Sequence, residues 1–330
     1  MLRNGMQDDL TQCRVILARP RGFCAGVVRA VDIVERTLDM VGAPVFVRHE
    51  IVHNHHVVKR LESLGAVFVE EVDEVPEGSV TVFSAHGVSR QVEAAAQARS
   101  LDVIDATCPL VRRVHREGQT YADQGYDVIL VGHSGHAEVE GTRGQINGSV
   151  QVVATADDAQ QVSVRDPGRV AYITQTTLSL FDTKDIIAVL KSRFPAIVGP
   201  DTRNICYATH NRQSAVLELA ERCELVLVVG SANSSNANRL QEIAAQSGVA
   251  AHLIGSADMI DPAWLNGVGC IGLTAGASAP EIVVQDVLAY LAALRPISVE
   301  ELDGKEERVR FRLPDRLTKK PNIEPAEALV

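Results

Sequence analysis

The chain has 330 residues, of which 46% are hydrophobic and only 4% are aromatic, and its formal net charge is −10. This length favours two or three domains, and such an aliphatic composition is typical of α/β proteins, whose buried parallel strands are rich in Val, Ile and Leu. The acidic balance argues against nucleic acid or an anionic membrane surface as the main partner, and the lack of an apolar run of ~18 residues argues against a membrane-spanning helix.

The chain begins with a polar segment and then alternates strands with helices. Residues 1–12 lack the apolar core of a signal peptide, so we expect a flexible leader on a cytoplasmic protein. The pattern up to residue 107 predicts strands at 14–18, 45–52, 66–70, 80–87 and 101–106. It predicts helices from the region of Cys24 to about Met40, over 57–64 and over 90–99.

The same alternation continues in the rest of the chain. We predict strands at 150–155, 169–174 and 250–255, and strands followed by their terminal loops at 126–136, 224–236 and 269–278. Helices are predicted after Cys108, over 181–194, after Cys206, between the strands at 224–236 and 250–255, and over 280–294. From Ile297 onward the chain is charged and contains prolines, so we expect a mobile tail or an edge element with a short strand at 309–313.

The spacing of the loops indicates an internal repeat. Polar loops after a strand begin at His49, His133 and Ser231, each 25 positions after a cysteine that opens a helix. These cysteines are Cys24, Cys108 and Cys206. We therefore predict three similar α/β units with parallel sheets, arranged with pseudo-threefold symmetry around a central cavity. The predicted units cover 13–107, 108–203 and 204–296, the strand at 13–18 is free to pack with the third unit, and 1–12 and 297–330 are flexible or accessory termini.

The three repeated cysteines are the strongest sign of chemistry. A thiolate at a helix N-terminus is favoured by unpaired backbone N–H groups and the helix dipole, and a metal stabilises it further. Cys24, Cys108 and Cys206 fit zinc with an added His, or an iron–sulfur cluster with one iron left open, although free cysteines are also common as small core residues. The sequence has no CxxC pair, which weighs against structural zinc. We take Cys13, Cys223 and Cys270 as packing residues.

The loops at the carboxyl ends of the strands supply polar side chains, where ligands sit in parallel α/β sheets. Without a Walker lysine, this set suits a small diphosphate better than a nucleotide. Simple N-capping and structural histidines are the alternatives. The candidates for binding are His53, His86, His136, Thr176, Ser234, Ser235, Asn236 and Ser278.

Glu138 is the best candidate for proton delivery in these loops. It lies in the segment GHSGHAEVEG, between a histidine and glycines. Enclosure beside a metal cluster would raise its pKa towards neutrality, as a general acid requires. The alternative is that Glu138 only provides the negative charge often found at the start of a helix.

The motifs together resemble a known family. The segments PRGFCAG, EIVHN, FSAHGVS, DATCPLV, TQTTLS, ICYAT and TAGASAP look like those of 4-hydroxy-3-methylbut-2-enyl diphosphate reductase of the LytB type, over about 15–294. The resemblance implies reductive removal of the substrate's allylic hydroxyl, giving isopentenyl and dimethylallyl diphosphate, the last step of the methylerythritol phosphate route to isoprenoids. His210 departs from the family, since a Thr is common at its position.

The resemblance also implies roles for the candidate residues. Cys24, Cys108 and Cys206 match the ligands of a [4Fe–4S] cluster with an open iron, Glu138 matches the proton donor, and the eight His, Ser, Thr and Asn candidates match the substrate-binding positions. Electrons would come from ferredoxin or flavodoxin, since no flavin or nicotinamide fingerprint is present. The competing hypotheses are a Cys₃His zinc hydrolase acting on a phosphate ester and a non-catalytic iron–sulfur sensor.

Overall fold

The structure is a computed structural model that describes residues 12–200 and 204–318. All but the last residue of the predicted leader, and the end of the predicted tail at 319–330, lie outside the described residues. The described chain forms three parallel sheets of five, four and three strands, with helices packed against them. The predicted α/β class is confirmed. Among the described residues, no helix is long and apolar enough to cross a membrane.

The first unit contains a sheet in the order β3-β2-β4-β5. Its strands are β2 (Val45–Arg48), β3 (Ala66–Val69), β4 (Val80–Phe83) and β5 (Asp102–Asp105). Its helices are α1 (Ala25–Val41), α2 (His55–Ser63) and α3 (Arg90–Ala98). Aliphatic residues on the inner face of α1, such as Ile33 and Val34, pack against Val45 and Val47 of the sheet and hold the start of α1 at its carboxyl edge.

The second unit contains a sheet in the order β7-β6-β8. Its strands are β6 (Asp127–Val131), β7 (Val150–Val153) and β8 (Val170–Thr174). Its helices are α4 (Pro109–Asp123), α5 (Ala137–Gln145), α6 (Ala156–Gln161) and α7 (Leu180–Arg193). The short α6 is absent from our prediction, although Thr155 and Asp158 form a capping box that marks its start. Every residue of β6 and β8 is buried, as expected for parallel strands covered on both faces.

The third unit contains a sheet in the order β10-β9-β11-β1-β12. Its strands are β9 (Leu225–Val229), β10 (Ala250–Ile254), β11 (Cys270–Ala275), β1 (Cys13–Leu17) and β12 (Ile297–Glu301). Its helices are α8 (Tyr207–Arg222), α9 (Ser235–Gln246) and α10 (Glu281–Leu294), and α11 (Asp315–Thr318) ends the described chain. The first strand of the chain therefore lies between β11 and β12. We propose the unit boundaries at 107/108 and 203/204 on the repeat alone.

The predicted edge element is present, because β12 is an edge strand beside β1, but two other parts of the prediction for the tail are wrong. The tail's strand is β12 at Ile297–Glu301, and residues 309–313 belong to no strand. Residues 302–318 are also not a loose tail, because Leu302 and Leu317 are buried in the cores of the third and first units. The alternation in VRFRL resembles a strand, but these residues bind other units through side chains and single carbonyl groups, which a periodicity argument does not detect.

Candidate active site

The three repeated cysteines occupy equivalent places in the fold. Cys24, Cys108 and Cys206 are the N-cap residues of α1, α4 and α8. The Sγ of Cys206 accepts a hydrogen bond from Thr209 N at 3.3 Å, and the Sγ of Cys24 accepts one from Val27 N at 3.5 Å. All three side chains line one central cavity. The structure therefore brings the three predicted sulfur ligands together.

Gly26 lets two of these sulfurs approach each other. A Cβ at this position would lie 2.9 Å from the Sγ of Cys108 and 3.6 Å from the Sγ of Cys24. With a side chain at this position, the Sγ of Cys108 would have to shift. The glycine two residues after Cys24 in the motif CAG therefore leaves room for both thiols beside the same helix turn.

Without a bound metal, Cys108 and Cys206 keep their protons at neutral pH. Desolvation and the nearby sulfur of Cys24 together raise the pKa of Cys108 to about 12 and that of Cys206 to about 11. A metal would replace the protons and stabilise the thiolates. No group of three or more His, Cys, Asp or Glu in 12–200 and 204–318 is placed to hold a single metal ion. Cys thiolates are the usual ligands of iron–sulfur clusters, so the donor set is compatible with one.

Three histidines also line the cavity. The ring centroids of His53 and His86 are 4.1 Å apart and stacked, and the ring of His136 lies edge-on to both at 5.3 and 5.8 Å. His53 and His86 come from the first unit and His136 is the N-cap residue of α5 in the second unit. The predicted histidine set is thus one cluster.

The surroundings of the histidine cluster keep two of its members neutral. Burial, together with the neighbouring imidazoles, lowers the pKa of His136 to about 4 and holds the pKa of His86 well below its ordinary value. His53 is oriented by Glu50, whose Oε2 lies 3.1 Å from His53 Nδ1 and also accepts a hydrogen bond from Asn233 Nδ2 at 2.8 Å. The hydrogen bond from His53 lowers the pKa of Glu50 despite its partial burial. Glu50 and Asn233 are missing from our predicted set, although Glu50 lies within the recognised HEIVHN loop.

The predicted Ser, Thr and Asn side chains also reach the cavity. Thr176, Ser234, Ser235, Asn236 and Ser278 all line it. Asn236 Oδ1 accepts a hydrogen bond from Ala277 N at 2.8 Å, and Ser278 Oγ donates to His53 O at 2.9 Å. Ser234 is also the N-cap residue of α9, where its side chain accepts from Ala237 N. Ser234 therefore both caps α9 and lines the cavity. The hydrogen bond from Ser278 to His53 connects the third unit to the first.

Glu138 is a buried carboxyl group paired with a threonine. It lies in the first turn of α5, and its side chain is enclosed, with 3% of the residue exposed. Thr176 N donates to Oε1 at 2.7 Å, and Thr176 Oγ1 donates to Oε2 at 2.9 Å. Burial raises the pKa of Glu138 to about 7, and the two hydrogen bonds from Thr176 oppose the shift. This is the value that suits a group exchanging protons near neutral pH.

Comparison with known proteins identifies the family of the chain. A family model described as LytB protein matches residues 15–292. The chain belongs to the LytB family. Two similar LytB relatives are the 4-hydroxy-3-methylbut-2-enyl diphosphate reductases of Zymomonas mobilis, 56% identical over 92% of this chain and 89% of the relative, and of Burkholderia pseudomallei, 57% identical over 92% and 97%.

Solved structures of the LytB fold are also similar. The structure of the E-1-hydroxy-2-methyl-but-2-enyl-4-diphosphate reductase from Plasmodium falciparum superposes with a TM-score of 0.87 at 37% sequence identity, and covers 93% of this chain and 97% of that one. A structure of (E)-4-hydroxy-3-methyl-but-2-enyl diphosphate reductase, described as the terminal enzyme of the non-mevalonate pathway, has a TM-score of 0.60 at 32% identity. The predicted family is confirmed.

Proposed function

We propose that this LytB chain reduces 4-hydroxy-3-methylbut-2-enyl diphosphate to isopentenyl and dimethylallyl diphosphate. The observation that carries the proposal is one cavity lined by three cysteines, three clustered histidines and the buried pair of Glu138 and Thr176. The relatives named above carry the same activity in their names. The net reaction replaces the allylic C–OH by C–H and releases water, with the uptake of two electrons and two protons.

The three thiols are the proposed ligands of a [4Fe–4S] cluster. When bound, such a cluster supplies the electrons and a Lewis-acidic iron, the open position being the one that lacks a fourth thiolate. The three cysteines fit this role because they converge from three helix N-termini and lie next to the cavity. The proposed intracellular site is the cytoplasm, where reducing conditions keep such thiols free.

The polar side chains would hold the diphosphate and deliver protons. The histidines, together with the hydroxyl and amide donors at the start of α9, can surround a diphosphate. Glu138 holds its proton near neutral pH and passes it towards the leaving hydroxyl through Thr176, whose Oγ1 lies 2.9 Å from Glu138 Oε2. Uptake of the second proton at either end of the allylic system gives the two products.

One experiment separates this function from its competitors. The protein is purified without oxygen, its iron and sulfide are measured, and the diphosphate substrate is added with a chemical reductant. We expect a brown protein that turns substrate over. Zinc in place of iron would favour the hydrolase hypothesis, and an iron–sulfur cluster that ignores the substrate would favour the sensor.

Binding of a diphosphate is expected to be coupled to proton uptake. The anion should raise the depressed pKa of His136 and His86, so protons should be taken up on binding, and affinity should weaken as pH rises. Calorimetry with inorganic diphosphate in buffers of different ionisation enthalpy measures this uptake. His86→Asn should reduce it, whereas His252→Asn, at a ring stacked on Trp264, should not. Equal uptake by both variants would contradict the assignment.

We propose a small acidic electron carrier, ferredoxin or flavodoxin, as the reductant. A surface groove lies behind the cysteine site, and Leu110, Cys206 and Tyr207 line both this groove and the central cavity. Arg113 and His210 are exposed at its rim, and Arg113 has no hydrogen bond or ion pair within the described part of the chain. The N-termini of α4 and α8 add partial positive charge. This local charge contrasts with the net charge of −10 and complements an acidic partner.

Reversing the charge of Arg113 is expected to impair only the reaction with the carrier. Arg113→Glu should raise the KM for ferredoxin or flavodoxin about tenfold at low salt, because rim charges act mainly on association. Turnover with a small chemical reductant should stay unchanged. Lys59→Glu makes the same charge change on the exposed face of α2 and serves as the control. An equal rise in the KM for the carrier in both variants would contradict docking of the carrier at this groove.

A further inference from the structure

A fully buried arginine connects two of the cysteine-bearing elements. Arg212 lies on α8, the helix that begins after Cys206, and it is 0% exposed. Its Nε and Nη2 donate to Gly22 O at 3.0 and 2.7 Å, and its Nη1 donates to Ala208 O at 3.0 Å. Gly22 lies two residues before Cys24. The guanidinium group therefore fixes the approach to Cys24 against the first turn after Cys206.

A second buried arginine connects the remaining cysteine. Arg29 lies on α1, which begins after Cys24, and it is 7% exposed. Its Nη1 donates to Ala106 O and to Thr107 O, both at 3.1 Å. These carbonyl groups directly precede Cys108. Arg212 and Arg29 thus link the three cysteine positions into one hydrogen-bonded set without contributing to the cavity wall.

The segment 302–318, which we call the C-terminal strap, completes both interactions. Glu307 accepts hydrogen bonds from Arg212 Nη1 and Nη2 at 3.1 and 3.2 Å, and Arg312 O accepts from Arg29 Nε at 2.9 Å. Phe311, between these two contacts, lines the central cavity. The strap thereby reaches both arginines and the site they surround.

Both ends of the strap are anchored in different units. Leu302 N donates to Leu17 O at 2.9 Å in the third unit. Leu317 is buried in the core of the first unit, and Arg316 forms an ion pair with Asp102. The strap cannot leave without exposing Leu317 and leaving the charge of Arg212 buried without a counter-charge, which is costly in a protein interior.

We propose that Arg29 and Arg212, completed by Glu307 of the strap, are positioning residues that hold the three thiols in the geometry of the proposed cluster. This inference rests on the proposed function. A guanidinium group donates in a fixed planar fork, so two of them can set the relative positions of three helix starts. Loss of the counter-charge would let Arg212 turn towards other acceptors and would free the loop before Cys24.

The test compares two neighbouring glutamates. Glu307→Gln removes the charge beside Arg212, and Glu306→Gln is the matched control because, within residues 12–200 and 204–318, Glu306 binds only the exposed Arg308. Both proteins are loaded without oxygen and examined for iron release to a chelator, the electron paramagnetic resonance spectrum of the reduced cluster, and its reduction potential. We expect Glu307→Gln to release iron about tenfold faster, as for other residues that orient metal ligands, with a changed spectrum and potential. Glu306→Gln should match the parent.

The outcomes separate this inference from the function on which it rests. If Glu307→Gln lowers only the melting temperature, or if both variants change alike, the strap is merely structural and the inference fails. If Glu307→Gln does not fold, Arg212→Lys keeps the charge but loses the fork, and the same spectral change is expected. A parent protein that binds no iron would instead overturn the proposed function, whatever the variants do.

Discussion

Replacing Glu138 by Gln is expected to lower turnover by about 10²–10⁴-fold, the usual contribution of a general acid, while substrate affinity stays close to that of the parent. The amide keeps the shape of the carboxyl group, and its oxygen can still accept the hydrogen bond that Thr176 N donates to Oε1 at 2.7 Å. The amide lacks an acidic proton to transfer. Single-turnover reduction of the substrate and equilibrium binding of the product measure the two effects separately.

The pH profile of the parent should report the same group. Because the pKa of Glu138 is raised to about 7, the fraction that carries a proton falls as pH rises through this value, and turnover should fall with it. Glu138→Gln should lose this limb of the profile along with most of its rate. Measurements with a chemical reductant avoid the pH dependence of a protein carrier.

The stability of the same variant gives an independent check. The folded-state pKa of Glu138 lies above the ordinary 4.5, so the parent loses stability as pH rises from about 4.5 to about 7, by about 3 kcal/mol in total. Glu138→Gln removes this loss, so its melting temperature should exceed that of the parent increasingly towards about pH 8.

The control for these measurements lies on the same helix. Glu140 is exposed, and its Oε1 accepts a hydrogen bond from Gly135 N at 3.1 Å. Glu140→Gln should keep parental turnover and pH dependence. Near-parental turnover in Glu138→Gln, or equal losses in both variants, would sink the assignment of Glu138 as proton donor.

The site could be predicted from sequence because its parts repeat. Each of Cys24, Cys108 and Cys206 is the N-cap of a helix, and the spacing from each cysteine to the following loop is constant in the sequence. Side chains that end parallel strands must converge at one edge of their sheet, so local pattern was enough to place the histidines. The ring contacts among the histidines could not be predicted, because they depend on how the units are placed relative to one another, and no local sequence pattern determines that.

The residues that pattern reasoning missed act over long distances in the chain. Arg212 and Glu307 are 95 positions apart, and Asn233 reaches Glu50 across 183. Neither pair has a local signal, since an isolated Arg or Glu in a helix or tail normally reads as a solvated surface charge. Composition gave the wrong answer for the strap for the same reason. Two of its charged residues, Glu307 and Arg316, pair with Arg212 and Asp102 in other units.

Replacing Cys108 by Ser is expected to remove the proposed cluster and with it the activity. A serine hydroxyl at this N-cap remains protonated and is a poor iron ligand, so two thiolates would remain where three are needed. Iron should fall from about four atoms per chain to below about one, and turnover should become undetectable. Serine is smaller than cysteine and is preferred at N-caps, so α4 should still form.

The matched control for Cys108→Ser uses a cysteine outside the cavity. Cys270 lies at the start of β11, and its Sγ is 3.6 Å from that of Cys223, away from the residues that line the site. Cys270→Ser should retain iron, colour and turnover, and circular dichroism of both variants without metal should show that each is folded. Full iron in Cys108→Ser, or its loss in Cys270→Ser alone, would move the metal site to other cysteines. Because Gly26 lets the sulfurs of Cys24 and Cys108 approach the same helix turn, Gly26→Ala should reproduce part of the Cys108→Ser defect while leaving every thiol in place.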